Sequence, residues 1–320
     1  MHHSTSHAGL RARIDITPEV ADALTLGRPV VALESTLISH GLPFPRNIEI
    51  AAASEAVIRD AGAIPATIAI RDGHLKVGLA REDLVALGTA EGVRKVARPS
   101  LASALAAGGW GATTVSATMI AADAAGIRVF ATGGIGGVHR GALGGPGGAP
   151  ATFDISSDLE ELARTPVAVV CAGPKAILDV ALTLEYLETR GVPVLSVGQD
   201  ELPGFYSRSS GLRAPATVAD IAEAARVVAT HFGLGLGSGI LVCTPVPEAD
   251  ALPFDVARAA IDEALADAHA AGIHGPEVTP WVLARVAELT EGASIKANTS
   301  LIANNARVAA VIAIALADGR

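Results

Sequence analysis

Aromatic side chains are scarce in this chain: six Phe, two Trp and two Tyr make up 3% of 320 residues. Recognition of nucleic acid by base stacking needs such rings on a binding face, so that mode has almost no material here. Positive charge is thin as well. Lys and Arg number 24 against 33 Asp and Glu, a formal charge of −9, and no run of Lys or Arg could track a phosphate backbone. Cysteine occurs only at Cys171 and Cys243, each closing an apolar run, VAVVC and ILVC. Neither has a His or Arg beside it to lower its thiol pKa, so both read as small buried residues, with no disulfide expected.

Long hydrophobic runs are missing too, despite a mean hydropathy of +0.43. The apolar run from Val308 to Ala317 is closed by Arg307 and Asp318, short of the roughly 18 to 20 residues a membrane span requires. The opening MHHSTSHAGLRARID holds no apolar stretch of signal-peptide length, which points to a cytoplasmic protein. Residues 1–15, with His2, His3 and His7, are expected to form a flexible tail before a single domain over 16–320.

What the chain does have is a regular alternation. The short β-branched runs VVALEST, PATIAI, TTVSATMI, RVFATGG, VAVVCAG, PVLSVG and GILVCTP are separated by Ala-rich amphipathic stretches. Ile48 to Ala61, Ala176 to Arg190 and Phe254 to Ala271 are the clearest of these. The pattern is α/β, and the strand runs are apolar enough to be covered on both faces. A three-layer αβα arrangement with a large mixed, mostly parallel sheet follows. The low-complexity stretch GALGGPGGAP, 141–150, reads as a loop, either a lid edge or a neutral insertion.

Ligands of open α/β sheets lie beyond the carboxyl ends of the strands, so the residues after each apolar run are candidates for chemistry. Glu34 ends PVVALE and could hold its proton as an acid, or sit exposed in a loop. Lys175 follows VAVVCAGP and is expected to open a helix, where the dipole and partial burial favour its neutral, nucleophilic amine. A solvated lysine is the plain alternative. Thr132 to His139, TGGIGGVH, could offer backbone N–H groups to a phosphate or could form a simple turn. Asp154-Ile155-Ser156-Ser157-Asp158 could cap a helix, or bind a hydrated cation or a phosphate. The amides of Asn298, Asn304 and Asn305 could read a nucleobase edge or serve as internal network residues.

Together, VALESTLISHGLPFPRN, VSATMIAADAAGIRVFATGGIGGVHRGA, DISSDLEELARTPVAVVCAGPKAILDVALTLEYLET and SIKANTSLIANNARVAAVIA resemble the pseudouridine-5′-phosphate glycosidase family, from about residue 18 to the end. The resemblance implies reversible cleavage of the carbon–carbon bond between uracil and ribose 5-phosphate, with a divalent cation, usually Mn²⁺. It implies an imine-forming Lys175 and an acid–base Glu34. Phosphate contacts fall on Lys95, Thr114, Thr132, His139 and Ser156, the metal carboxylate on Asp158 and the base-reading amide on Asn298. It also implies a homotrimer. The Gly-rich stretch is longer than the family pattern suggests, which loosens the placement of Ser156 and Asp158. Two rivals remain. One is a related C-nucleotide or sugar-phosphate lyase of the indigoidine synthase A group. The other is a non-enzymatic sugar-phosphate sensor, which would need neither the amine nor the acid.

Overall fold

The computed structural model describes residues 8–41, 43–144, 150–273 and 278–319. The apolar runs form one eleven-stranded sheet. Its main path runs Ile14–Ile16, His74–Val77, Ile64–Arg71, Val30–Leu33, Val129–Ala131, Ala168–Cys171, Ile240–Cys243, Val194–Val197 and Ala216–Val218. Trp110–Thr113 pairs with Ile64–Arg71, and Arg94–Val96 lies outside it. Within this sheet antiparallel pairing is confined to Ile64–Arg71 against its neighbours His74–Val77 and Trp110–Thr113, and a separate two-stranded antiparallel pair joins Val138–His139 to Leu178–Asp179. The remaining pairs are parallel, from Ile14–Ile16 to Ala216–Val218.

Alternation along each central strand builds two cores. Val30 and Ala32 face one, Val31 and Leu33 the other, and Ala168–Cys171 and Ile240–Cys243 divide in the same way. Helices Pro18–Thr25, Val115–Ala125 and Val180–Thr189 cover the first face. Helices Arg46–Asp60, Ile221–Gly233 and Ala293–Asp318 cover the second. This is the expected αβα sandwich. A third core joins Phe254–Ala270, Val278–Leu289 and the start of Ala293–Asp318 to Ala172, Ile177, Leu178 and Phe205. These helices cap the end of the sheet where Ala168–Cys171 stops.

Several local expectations are corrected. In TTVSATMI the strand stops at Thr113, and Val115–Ala125 is a helix buried on nearly every side. A uniformly apolar helix and a buried strand share the same pattern. Lys175 does not open a helix. Its backbone N–H donates to the Ile135 carbonyl, Leu178–Asp179 pairs with Val138–His139, and the helix Val180–Thr189 starts only after Asp179 caps it. The dipole argument for its amine therefore falls away.

The tail boundary also moves. Ala8–Arg11 is helical and Ile14–Ile16 pairs with His74–Val77, because Ile14 and Ile16 pack on the first core. His2, His3 and His7 lie outside the described residues, as do positions 145–149 of the Gly-rich stretch. At the other end, Ala293–Asp318 is a 26-residue helix, long and apolar enough by composition to cross a membrane. It is a core helix here, with Leu301, Ala306, Ala309 and Ile312 fully buried against the sheet and its cap. Cys171 and Cys243 sit directly opposite each other on neighbouring strands, both free and buried.

Candidate active site

A cavity of about 360 Å³ opens where the strands end. Glu34 follows Val30–Leu33 at the turn into the short helix Thr36–His40. Thr132 follows Val129–Ala131, where its N–H still donates to the Val170 carbonyl at 3.0 Å. Lys95 belongs to Arg94–Val96, Lys175 lies beyond Ala168–Cys171, and Asn298 comes from the C-terminal helix. All five line the one cavity, between apolar walls that include Leu33, Leu37, Ala51, Phe205, Leu283 and Ile302. Five of the nine residues singled out from sequence are thus gathered by five separate segments.

The Thr132 hydroxyl donates to Oε1 of Glu34. Glu34 keeps a little surface toward the cavity, but protein encloses it. Burial therefore raises its pKa above the ordinary glutamate value of 4.5, against the pull of the Lys175 charge and the Thr132 hydrogen bond. Asp158 adds to the rise and Lys95 opposes it. Lys95 is held below its usual value by burial and then by Lys175, with Glu34 and Asp158 acting the other way. Two amines and one carboxyl thus share one low-dielectric site, with the Asp158 charge felt from outside its wall, and the enclosed carboxyl is biased toward its protonated form, as an acid catalyst requires.

Thr114, Ser156 and Asp158 do not line the cavity. They form a cluster under the Gly-rich run. Ser156 caps Ser157–Leu162, accepting from the Asp158 N–H at 3.2 Å. Asp158 is 5% exposed, and its carboxylate accepts from Ser116 N–H and from Gly136 N–H, both at 2.9 Å. Thr114 Oγ1 lies 3.3 Å from Ser116 Oγ. A Cβ at Gly136 would fall 2.2 Å from Ser156 Oγ and 2.8 Å from Asp158 Oδ2, so only glycine lets the backbone approach. His139 stands apart, half-buried in its short pairing with Leu178, with Nδ1 3.7 Å from Asp154 Oδ2.

The run TGGIGGVH spends most of its amides on the protein itself. Thr132, Ile135 and His139 donate to backbone carbonyls, Gly136 to Asp158 and Val138 to the Thr183 hydroxyl. A phosphate nest could draw only on Gly133, Gly134 and Gly137. Among the described residues, no group of three or more His, Cys, Asp or Glu converges. Asp158 is a lone carboxylate with one lone pair left on each oxygen. That donor set fits a cation that keeps most of its water and excludes a protein cage.

Sequence reasoning missed Phe205 and His40 and left Asn305 open between reading a base and joining an internal network, and the structure shows the network role. Asn305, 1% exposed, donates to the carbonyls of Thr132 and Gly133 and accepts from Thr244 Oγ1 at 2.6 Å. Its amide was visible in the sequence, its partners 61 and 173 positions away were not. Asn304 instead bonds the Pro245 carbonyl. Phe205 presses on Gly134, where a Cβ would lie 2.6 Å from its ring. His40, in the cavity wall, carries an Nε2 that is buried without a hydrogen-bond partner.

The family described as Indigoidine synthase A like protein matches residues 19–315. A pseudouridine-5′-phosphate glycosidase of Deinococcus radiodurans is 52% identical over 313 residues, 98% of each chain. One of Caldanaerobacter subterraneus is 54% identical over 303 residues, covering 95% of this chain and 96% of that one. Among solved structures, a prealnumycin C-glycosynthase in complex with ribulose 5-phosphate superposes with a TM-score of 0.86 at 40% identity, over 96% of this chain and 97% of the other. An indigoidine synthase A-like protein of Thermotoga maritima gives 0.84 at 33% identity, over 99% of both.

Proposed function

The chain belongs to the indigoidine synthase A like family, and on that premise we propose that it is a pseudouridine-5′-phosphate glycosidase. The observation that carries the reading is the meeting of Lys175, Glu34 and Thr132 in one enclosed cavity. An N- or O-glycosidase can work with two carboxyl groups, because nitrogen or oxygen leaves once protonated. A C-glycoside has no such leaving atom. A nucleophilic amine supplies another route.

The Lys175 amine attacks C1′ of the sugar and the C1′–O4′ bond breaks, with the proton for O4′ coming from Glu34. A proton added at uracil C5 then lets the C5–C1′ electron pair stay with uracil. The nitrogen lone pair forms the C1′=N bond of an imine. Water adds to that imine and returns ribose 5-phosphate and free Lys175. Binding of the remote phosphate holds C1′ within reach of the amine. Lys95 serves the phosphate from the cavity side, Thr132 keeps its one hydroxyl proton on Glu34, and Thr114 and Ser156 support the Gly-rich run from the cluster under Gly136. His139 serves the same end of the substrate from beside Asp154. Asn298 reads the base edge with its donor and acceptor.

A divalent cation, Mn²⁺, would be held by one oxygen of Asp158 with water completing its shell, and would supply charge neutralisation for the phosphate. The cytoplasm fits two free cysteines facing each other on adjacent strands. A homotrimer is the assembly that the family resemblance implies. The test is incubation with pseudouridine 5′-phosphate, and in reverse with uracil and ribose 5-phosphate. Uracil release and its reversal are expected. Binding without turnover would leave the sensor reading in its place, and turnover of another sugar-phosphate adduct alone would leave the related lyase.

A further inference from the structure

Ser35 stands at the N-cap of the helix Thr36–His40, yet its hydroxyl takes no N–H from that helix. A serine in that position ordinarily accepts from the second or third helical amide. Here the oxygen accepts instead from the Thr113 N–H at 2.9 Å, 78 positions along the chain, and lies 3.4 Å from the Thr113 hydroxyl. The Ser35 N–H points back to the Thr113 carbonyl at 3.4 Å, and the Thr36 hydroxyl donates to the same carbonyl at 2.8 Å. Ser35 and Thr113 are both fully buried. Thr113 is itself anchored, because its hydroxyl donates to the Ile68 carbonyl at 2.7 Å and accepts from Thr118 Oγ1 at 2.9 Å.

The sheet topology shows what this clasp joins. Val30–Leu33 and Trp110–Thr113 lie end to end along one edge of Ile64–Arg71, with Leu33 beside Thr67 and Ala112 beside Ala69. The first is parallel to that strand and the second antiparallel, so their carboxyl ends meet at Ile68, and no ladder joins them. Glu34 leaves this junction on one side. Thr114 leaves on the other, its N–H on the Val96 carbonyl next to Lys95, and Ser116 beyond it donates to Asp158. Among the described residues the Glu34 carboxyl takes one hydrogen bond, from Thr132, which holds the head of the side chain but not its backbone. A catalytic group works only when its supporting residues keep it within a fraction of an ångström of the productive position. We propose that Ser35 is the positioning residue of the acid, tying the turn at Glu34 to Thr113 so that the carboxyl meets Thr132 and the cavity, with Thr36 as the second tie. The proposal rests on the glycosidase reading and names what holds its acid in place.

Ser35→Ala removes the oxygen and little bulk. Cleavage of pseudouridine 5′-phosphate should lose about 10- to 100-fold in kcat, the range for a reacting group displaced by up to about an ångström, with a smaller change in KM. Borohydride with ribose 5-phosphate should still label Lys175, because the free sugar presents its open-chain aldehyde to the amine. The double substitution separates positioning from general support, since a residue that acts through Glu34 has nothing left to act on once that carboxyl is gone. In a Glu34→Gln background, Ser35→Ala should therefore leave the residual kcat unaltered. Wild-type kcat in Ser35→Ala, or an equal loss with and without the Glu34 carboxyl, would overturn the assignment. Should Ser35→Ala not fold, Thr36→Val should lower kcat in the same pattern and Thr36→Ser restore it, and wild-type kcat in Thr36→Val overturns the proposal as well. A wild type that neither cleaves pseudouridine 5′-phosphate nor forms a borohydride-trapped adduct with ribose 5-phosphate would instead refute the glycosidase reading itself.

Discussion

The side-chain amide of Asn305 donates to the backbone carbonyl of Thr132 across 2.8 Å. It joins the C-terminal helix to the strand end whose hydroxyl holds Glu34. The same amide accepts from Thr244, so one residue fixes two loops at the cavity. Replacing it with Leu leaves a carbonyl and a hydroxyl unpaired in the interior, at about 1–3 kcal/mol for each group. Asn305→Leu should lower the melting temperature and cut kcat about tenfold, with a smaller change in KM. Wild-type kcat in this variant would show that the Thr132 loop keeps its shape without the amide.

Lys175 is expected to carry the covalent step. Borohydride added with ribose 5-phosphate should convert the imine to a stable secondary amine on Lys175, read by peptide mass spectrometry. Lys175→Arg should lose both adduct and turnover, because guanidinium stays protonated and cannot attack carbon. An adduct on Lys95 or Lys296, or normal turnover by the arginine variant, would move the chemistry elsewhere.

The raised pKa of Glu34 sets a direction for the pH profile. The carboxyl keeps its proton above the usual 4.5, and its acid function is lost as pH climbs through the raised value. The Thr132 hydrogen bond lowers that pKa, so Thr132→Val should push the alkaline limb of kcat/KM to higher pH. Glu34→Gln should cost about 10²- to 10⁴-fold in kcat, while ribose 5-phosphate alone is still trapped on Lys175. A limb that moves to lower pH in Thr132→Val would contradict this assignment of the acid.

Chelation tests Asp158. With one carboxylate as the protein's share, a small ion that keeps its water should be preferred, so EDTA should stop turnover and Mn²⁺ restore it better than Ca²⁺. Asp158→Asn keeps an oxygen for one backbone N–H but removes the charge. It should raise the Mn²⁺ concentration needed for half-activity. Full activity in excess EDTA would leave Asp158 as a clasp between Ser116 and Gly136.

Asn298 is expected to act on the base alone. Asn298→Ala should weaken productive binding of pseudouridine 5′-phosphate about tenfold, as for a lost hydrogen bond in a closed site, and leave ribose 5-phosphate affinity in the trapping assay unchanged. Equal loss for both ligands would place the amide nearer the sugar.

The layered α/β architecture was legible from the chain because it depends on local periodicity. The unbroken apolar runs VVAL, AVVC and ILVC, buried at every position, and the helical spacing in the stretches between them need no distant partner to be read. The candidates at strand ends were legible for the same reason, since Glu34, Thr132 and Lys175 each follow an apolar run. Tertiary structure decided the rest. VSATMI became a helix, and Lys175 a loop residue at the start of a turn, because its N–H bond to Ile135 and the pairing of Leu178–Asp179 with Val138–His139 outweighed the local helical pattern. The charge state of Glu34 depends on enclosure by segments far apart in sequence. Asp158 came to serve two backbone amides at 116 and 136, and Asn305 to hold Thr132, through contacts that only the folded chain creates. Such hydrogen bonds join groups with no fixed spacing, so no periodicity announces them.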